Sequence, residues 1–220
     1  MSGGNPHPTA SMLFTPEPLG SVHLPIAHGA TVNRRIRQST NPGPPSTDKP
    51  SLQDKLVVAL LAMKVRAATD ADSEAIVEVL TATWGGTIAV AHGIAYDAAT
   101  LPALVAEQDG RIVGLLTYTI VDDELEVVTI DAPVRHLGVG GALIGAAADV
   151  ARQAGAQRLW LITTNDNLDA LRFYQRRGLR IVGVSPGAVD ASRVVKPSIP
   201  LTGAYDIPLH DELTLELRLD

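Results

Sequence analysis

The segment that most limits the fold is a glycine-rich turn between a strand-like run and a helix-like run. It reads Arg135-His136-Leu137-Gly138-Val139-Gly140-Gly141-Ala142-Leu143. Glycine adopts positive φ and lets backbone N–H groups approach an anion, and a helix N-terminus adds about half a positive charge. We expect either a phosphate-binding turn or a tight, closely packed connection. The dinucleotide fingerprint is excluded because Leu143 occupies its third glycine position, and the P-loop is excluded because no Gly-Lys-Ser/Thr is present.

Hydrophobic periodicity on both sides of this turn predicts a mixed α/β (α+β) domain. Strands are expected at about 64–66, 104–107, 112–121, 124–130, 158–163, 180–184 and 213–219. Helices are expected after the cap Thr69-Asp70 and at about 140–154 and 168–177. Asp109-Gly110 and Asp122-Asp123 are hairpin turn signals. The order predicts one mixed central sheet of about six to seven strands, flanked by helices.

Residues 1–62 differ in composition from the rest of the chain. Nine of the fifteen prolines precede Ser51, in a stretch without sustained periodicity. Such a segment does not easily offset its ordering entropy, so we expect a Pro-rich, disordered extension at 1–62 and a single domain at 63–220. Two short segments resemble the N-terminal sequence of old yellow enzyme-type flavoproteins, namely Leu13-Phe14-Thr15-Pro16 and Leu24-Pro25. No barrel pattern follows, so no flavin is predicted.

Charge and composition limit the classes of partner that we expect for this chain. The net charge is −6, and it divides into +2 over residues 1–62 and −8 over residues 63–220. Because phosphate affinity comes mainly from Lys and Arg, an acidic domain is a poor nucleic-acid binder and favours a cationic partner. The longest apolar run, 56–63, is much shorter than the roughly 20 residues of a membrane span. With no cysteine, we expect a cytoplasmic protein without membrane partners. Six scattered histidines predict no metal site.

Two motifs together resemble the GNAT superfamily of N-acetyltransferases. Arg135, Gly138 and Gly140 match its hallmark of Arg or Gln, two residues, Gly, one residue, and Gly or Ala. The later run from Asn165 through Ala170, Phe173-Tyr174 and Arg177-Gly178 is similar to its second signature. A closer resemblance, to a bacterial subgroup of unassigned substrate, covers almost all of 63–220. The resemblance implies the GNAT fold and an enzyme that transfers an acetyl or short acyl group from acetyl-CoA directly to an amine acceptor in a ternary complex.

The resemblance also implies which residues bind acetyl-CoA. In this family the turn holds the CoA pyrophosphate through backbone amides, which implies Arg135, Leu137, Gly138, Val139, Gly140, Gly141 and Ala142. Asn167 is implied as a further contact with Asn165 in reserve, although either asparagine can instead cap the next helix. Tyr174 is implied as the general acid for the departing thiolate. The alternative is an aromatic residue that packs the helix on the sheet.

A general base is expected on the strand that enters the turn. Glu124, Glu126, Val128 and Ile130 share one face by the strand period of two. A carboxylate among apolar neighbours has a raised pKa, which suits the removal of a proton from an ammonium group. Glu126 is the candidate base, and a solvated glutamate beside a hairpin turn is the alternative. Backbone N–H groups of Val128, Thr129 and Ile130 are expected to hold the thioester oxygen.

The sequence leaves two functions open. The first is an N-acyltransferase that acts on a small-molecule or peptide amine, with a homodimer left open. The alternative is a regulatory module of GNAT fold that binds acyl-CoA without transfer, because fold does not fix function. The segments around Lys196 and Asp211 fit either the lining of an acceptor pocket or surface loops with turn prolines.

Overall fold

The computed structural model describes residues 11–12, 63–91, 94–133 and 138–219. Its strands are β1 (Ser11–Met12), β2 (Lys64–Ala67), β3 (Ile88–Ala91), β4 (Ile94–Asp97), β5 (Ala103–Gln108), β6 (Arg111–Val121), β7 (Glu124–Asp131), β8 (Arg158–Thr164), β9 (Arg180–Ser185) and β10 (Glu212–Arg218). Its helices are α1 (Ser73–Trp84), α2 (Val139–Gln153), α3 (Leu168–Gln175) and α4 (Ala188–Val195). None of the helices in these described ranges is long and apolar enough to cross a bilayer.

Seven strands follow one another in a mixed sheet in the order β2-β5-β6-β7-β8-β10-β9, and the two-residue β1 joins the same sheet by pairing with β8. The mixed sheet of about seven strands flanked by helices is the architecture that the sequence predicts. The run β5–β6–β7 is antiparallel, and its turn residues Asp109, Gly110, Asp122 and Asp123 all have positive φ. Strands β7 and β8 are parallel because α2 connects them. The hairpin β3–β4 forms a separate two-stranded sheet that the periodicity did not predict.

Two apolar clusters fix the helices on the sheet. Helix α2 carries apolar residues at helical spacing, and they pack with Leu125, Val127 and Leu161 on one face. Helix α1 packs on the other face, where Ile76 and Leu80 contact Leu115. The predicted cap at Thr69-Asp70 begins a short 3-10 turn, and α1 itself starts at Ser73.

Strand β7 contains a bulge that separates it from β8. Thr117 of β6 pairs with Thr129, whereas the next residue pairs with Val127, so Val128 is an extra residue. Among the described residues, the ladder between β7 and β8 ends at the pair Val127 and Leu161. Farther along, β8 pairs with the two-residue strand β1. Strand β1 also contacts β7, so it lies next to both strands at this place. We call the space between β7 and β8 beyond Val127 the cleft.

The bulge corrects the predicted alternation on β7. Ile130 lies in the apolar cluster on the α2 side, together with Leu125 and Val127. Val128 instead packs with Ala89 of β3, in a small cluster on the opposite side. The prediction that Ile130 shares a face with Val128 is therefore wrong, because the extra residue shifts the alternation by one position.

The stretch between β9 and β10, residues 186–211, is called the insertion below. It contains α4 and a 3-10 turn at Ala204–Asp206. Tyr205 and Asp206 of this turn both have positive φ, which non-glycine residues rarely adopt. Long-range hydrogen bonds hold the insertion against the end of β8, as described below.

Candidate active site

The glycine-rich turn leads directly into α2. Gly138 has φ of 76° and is the N-cap residue, and the N–H of Ala142 donates to its carbonyl over 2.9 Å. Val139 and Gly140 are buried, whereas Gly141 and Ala142 are partly exposed. The predicted contacts Arg135 and Leu137 lie outside the described residues. The described part of the turn therefore presents the first turn of a helix, in which the N–H groups of Val139, Gly140 and Gly141 have no intrahelical partners. The N–H of Ala142, a predicted phosphate contact, is already used within the helix.

Gly140 and Gly141 have different physical roles. A Cβ on Gly140 would lie 3.0 Å from Cζ of Phe173, so this glycine allows α2 and α3 to pack closely. A Cβ on Gly141 would lie 2.8 Å from Nη2 of Arg177. The packing explanation from the sequence fits Gly140, whereas Gly141 lies beside a cation at the start of the helix.

Arg177 is a residue that the sequence reasoning did not assign to the site. Its guanidinium carbon lies 3.7 Å from the ring centroid of Phe173, and its Nη1 donates to the Phe173 carbonyl over 3.1 Å. Burial and then the neighbouring Arg176 lower the pKa of Arg177. A cation beside a helix N-terminus is opposed by the helix dipole, so this location favours a bound anion. The sequence feature that points to Arg177 is its i,i+4 spacing from Phe173, which places the two side chains on one face of a helix.

Asn167 and Asn165 perform different tasks at the end of β8. Asn167 is the N-cap of α3, with Oδ1 accepting from the N–H of Ala170 over 3.2 Å. Its Nδ2 is buried and has no hydrogen-bond partner among the described residues. Asn165 accepts from the N–H groups of His210 and Asp211 and donates to the Pro208 carbonyl, which fixes the insertion.

A second buried polar atom lies close to Asn167 in the chain. Thr163 is fully buried on the face of β8 that also carries Leu159 and Leu161. Its hydroxyl has no hydrogen-bond partner within the described part of the chain. Most buried polar groups in folded proteins have a partner, so two such groups at one edge of the cleft indicate a ligand.

Glu126 lies on β7, opposite Thr119 of β6 and Trp160 of β8. Only 5% of the residue is exposed, so it is not a solvated glutamate. Glu124 fits that alternative better, because its partly exposed carboxylate accepts from Nη2 of Arg158 over 2.7 Å. The structure thus distinguishes two glutamates that differ little in the sequence.

The residues expected to hold the thioester oxygen surround the bulge. Val128 and Thr129 are both buried, and the hydroxyls of Thr129 and Thr117 share a 2.7 Å hydrogen bond. Ile130 is buried on the opposite face. Their backbone groups line the side of the cleft that β7 forms.

Tyr174 is 1% exposed and belongs to the main apolar cluster. Its ring makes an edge contact with Phe173, with centroids 5.1 Å apart. Burial raises the pKa of Tyr174 well above its ordinary value, so the hydroxyl keeps its proton. The residue packs α3 on the sheet, and it also meets the requirement that a general acid be protonated.

Hydrogen bonds join the insertion to the residues after β8 and to the connection between α1 and β3. Asp166 is buried, and it accepts from the hydroxyl of Thr164 and from the N–H of Ala204. The Lys196 ammonium donates to the carbonyls of Trp84 and Ile88 over 3.3 and 3.0 Å. Burial lowers the pKa of Lys196. Lys196 is therefore a structural contact between the insertion and the α1–β3 connection, not a surface-loop residue.

Outside the cleft, the described part of the chain has fewer features that indicate a binding or catalytic site. Among the described residues, no group of three or more His, Asp or Glu residues could hold a metal ion. A cavity of about 420 Å³ lies at the opposite end of α2 from the cleft, lined by Arg152, Gly155, Ala156, Gln157, Arg218 and Leu219. The buried polar atoms described above instead gather around the cleft.

Comparison with known proteins agrees with this geometry. Residues 74–179 match the family described as Acetyltransferase (GNAT) family. Over 111 residues the chain is 41% identical to uncharacterized protein YxbD of Bacillus subtilis (strain 168), covering 50% of this chain and 70% of that protein. Over 96 residues it is 33% identical to streptothricin acetyltransferase of Streptomyces lavendulae, covering 43% of this chain and 51% of that protein. The chain belongs to the GNAT acetyltransferase family.

A solved structure shows that the fold is shared as well. It is yncA, a putative acetyltransferase from Salmonella typhimurium with its cofactor acetyl-CoA. The similarity has a TM-score of 0.53 at 20% identity, and covers 72% of this chain and 95% of that chain. At this identity the likeness concerns the fold alone.

Proposed function

We propose that this protein is a cytoplasmic N-acetyltransferase that moves an acetyl or short acyl group from acyl-CoA to an amine. The observation that carries the proposal is the pair of buried donors at the cleft. The hydroxyl of Thr163 and Nδ2 of Asn167 have no partner among the described residues. A buried, unsatisfied polar group costs about 1–3 kcal/mol. The pantetheine arm of CoA contains amide carbonyls that would accept from both.

The proposed pyrophosphate site is the start of α2. Backbone N–H groups from Gly138 to Gly141 provide the donors, since the N–H of Ala142 already donates to the Gly138 carbonyl. The helix dipole favours a negative charge there. Arg177 lies beside Gly141 and adds a full positive charge. A bound pyrophosphate would lie between two groups that otherwise repel each other, which supports an anion at this place.

In the proposed reaction each residue acts at a stated atom. The carboxylate of Glu126 accepts a proton from the acceptor ammonium, and the free amine attacks the thioester carbonyl. Backbone N–H groups of Val128, Thr129 and Ile130 hold the developing oxyanion. As the carbon–sulfur bond of the tetrahedral intermediate breaks, the hydroxyl of Tyr174 donates a proton to the departing thiolate. The attacking nitrogen loses its second proton, which restores the phenol and completes direct transfer within a ternary complex.

The proposed acceptor is a cationic small molecule or peptide with a primary amine. The domain carries a net charge of −8, which favours cations and disfavours nucleic acid. A buried carboxylate at Glu126 favours an ammonium group at the reacting position. The name of the related streptothricin acetyltransferase indicates an acceptor for that protein. For this chain it supports the broader class of amine-bearing compounds.

The first experiment is titration calorimetry with acetyl-CoA on the full chain, comparing Gly141→Trp with Gly145→Trp. An indole at position 141 would occupy the space beside Arg177, whereas a Cβ at Gly145 meets no atom within 4 Å. Gly140 is a poor choice, because a side chain there presses on Phe173. We expect the first variant to lose at least about 100-fold in affinity, or about 2.7 kcal/mol. The second variant should bind like the wild type.

The same titration on residues 63–220 tests the proposed domain boundary. Strand β1 pairs with β8 at Ile162 and Thr163, which is the edge that faces the cleft. We therefore expect residues 63–220 to bind acetyl-CoA at least as tightly as the full chain. A fragment that does not fold would contradict the boundary, and a wild-type chain without any acetyl-CoA binding would contradict the proposed function.

Transfer is tested with Glu126→Gln and Tyr174→Phe against a panel of amines. Loss of a general acid or base lowers turnover by about 100-fold to 10,000-fold. Acetyl-CoA affinity should stay close to that of the wild type, because neither group is proposed to bind the phosphates. Tight acetyl-CoA binding with no turnover on any amine would instead identify a regulatory acyl-CoA-binding module.

A further inference from the structure

The β3–β4 hairpin packs on β7 at the bulge. Ala89 of β3 and Val128 of β7 form a small buried cluster, and Tyr96 and Leu101 pack against it. Tyr96 is the register partner of Ala89 within the hairpin. The aromatic ring of Tyr96 therefore contacts the cluster that contains the extra residue of the bulge.

Glu126 lies two residues before Val128 on β7, and its charge acts on the hydroxyl of Tyr96. Burial, and then the negative charge of Glu126, raise the pKa of Tyr96 to about 12. The phenol is therefore neutral and keeps its O–H donor at any ordinary assay pH. A neutral donor next to a buried carboxylate can orient it without competing for the proton of an acceptor amine.

We propose that Tyr96 is a positioning residue of the acetyl-transfer site, whose ring fixes the bulge at Val128 and whose hydroxyl orients the Glu126 carboxylate. This inference rests on the proposed function and adds Tyr96 to the two proton-transfer residues proposed there, Glu126 and Tyr174. It also gives the hairpin β3–β4 a role, because the hairpin carries this side chain across the sheet face to the proposed base.

Several other charged groups lie on the elements that surround Glu126, and most of them have a partner of their own. They are Glu124 and Asp131 on its own strand, Arg158 on β8, Glu212 and Glu216 on β10, and Lys196 after α4. Arg158 binds both Glu124 and Glu216, and Thr83 donates to Asp131 over 2.6 Å. Lys196 donates to two backbone carbonyls. Glu212 is buried beside Thr164, at the far end of β10 from Glu216.

The proposal predicts a change in the titration of Glu126. A phenol that donates to a carboxylate stabilises the charged form and lowers the pKa of the carboxylate. In Tyr96→Phe the ring remains and the donor is lost, so the pKa of Glu126 should rise by about 0.5 to 1 unit. The base must be deprotonated to act, so the acidic limb of the kcat/KM profile should move up by the same amount. Above that limb the variant should recover to within about twofold of the wild type.

The matched control is Tyr118→Phe. Tyr118 packs against the cluster on the α2 side, which is the sheet face opposite Glu126. It loses the same hydroxyl from the same ring, so a general effect on stability or packing would appear in both variants. We expect the pH profile of this control to match that of the wild type.

The deciding measurement is a carbon-13 NMR titration of the glutamate carboxyls in the full chain, with Glu126→Gln used to assign the signal. A shift in Tyr96→Phe and none in Tyr118→Phe supports the positioning role. An unchanged Glu126 titration in Tyr96→Phe overturns it. Because this readout needs no turnover, it separates the failure of this inference from the failure of the proposed function, which is judged by transfer with the wild type.

Discussion

Strands β7 and β8 have two halves that differ in structure. In the paired half, residues 124–127 of β7 form a continuous parallel ladder with residues 158–161 of β8. In the open half, the bulge turns residues 128–131 away, and the end of β8 carries buried polar side chains. The same two strands thus form a closed piece of sheet at one end and a cleft at the other.

Apolar burial and one ionic network hold the paired half together. Leu125, Val127, Leu159 and Leu161 are all fully buried. Arg158 spans three strands, with donor distances of 2.7 Å to Glu124 and 2.8 Å to Glu216. The Glu124 carboxylate is the main cause that raises the pKa of Arg158. This half contributes to stability.

The open half buries polar groups at a cost to stability. Thr163 and Asn167 each leave a donor without a partner among the described residues. Asp131 is buried at the end of β7, and burial raises the pKa of its carboxyl. The comparison teaches that changes to the apolar residues of the paired half should alter folding, whereas changes in the open half should alter ligand binding. Glu126 is the exception, because it is the proposed base although it lies in the paired half.

The largest expected effect is in the paired half. Leu161→Ala removes a fully buried side chain, and such changes lower the free energy of unfolding by about 2–5 kcal/mol. Denaturant unfolding measures the loss. Leu201→Ala is the control, because that side chain is 72% exposed and its loss should change stability by less than about 0.5 kcal/mol. Similar results for both leucines would show that burial of Leu161 does not stabilise the paired half.

A second effect concerns the contact between the open half and the insertion. A Cβ on Gly203 would lie 2.0 Å from Oδ2 of Asp166, so Gly203→Ala must displace that carboxylate. We expect a loss of about 1–3 kcal/mol in unfolding free energy and a raised KM for the acceptor, with acetyl-CoA affinity retained. Gly183→Ala is the control, since its Cβ would make ordinary 3.6 Å contacts with Thr214. An unchanged acceptor KM would separate the insertion from the acceptor site.

Asn167→Asp separates capping from ligand binding. An aspartate keeps an oxygen that accepts from the N–H of Ala170, and it is at least as good an N-cap. It removes the buried Nδ2 donor, so the Kd for acetyl-CoA should rise about tenfold, or 1.4 kcal/mol, without loss of melting temperature. Asn167→Ala should lose both affinity and stability. Wild-type affinity in the aspartate variant would show that the donor faces no ligand.

The smallest effect should have an unusual sign. Thr163→Val removes a buried hydroxyl that has no partner among the described residues, so the ligand-free protein should be unchanged or stabilised by up to about 1 kcal/mol. Its affinity for acetyl-CoA should fall several-fold. In contrast, Thr117→Val breaks the 2.7 Å bond to Thr129 and should destabilise the protein by about 1 kcal/mol. A loss of stability in both variants would refute the assignment of Thr163 to the ligand.

Much of the fold could be predicted from the sequence because local patterns specify it. The sequence predicts helix α2 at about 140–154, and the helix spans Val139–Gln153. It predicts strand β8 at 158–163, and the strand spans Arg158–Thr164. The hairpins β5–β6–β7 follow from two turn signals with positive φ. These features depend on residues that are close in the chain.

The features that the sequence does not predict depend on contacts between residues that are far apart in the chain. The bulge at Val128 could not be read because residues 125–131 are buried throughout, so polarity gives no alternation to interrupt. The role of Asn165 depends on loop residues more than 40 positions later, such as Pro208. Arg177 belongs to the site only because α3 places it beside the start of α2. The motifs predicted the type of site, and tertiary contacts determine which side chains complete it.

The bulge means that the cleft is encoded by the number of residues in β7 and not by the identity of any one side chain. Val128 could be exchanged for another apolar residue and the strands would still part after Val127. Deletion of one residue there would instead restore the alternation, returning the polar and apolar positions of 129–131 to the opposite faces. A survey by substitution alone would therefore report this position as tolerant, although the shape of the binding surface depends on its being present.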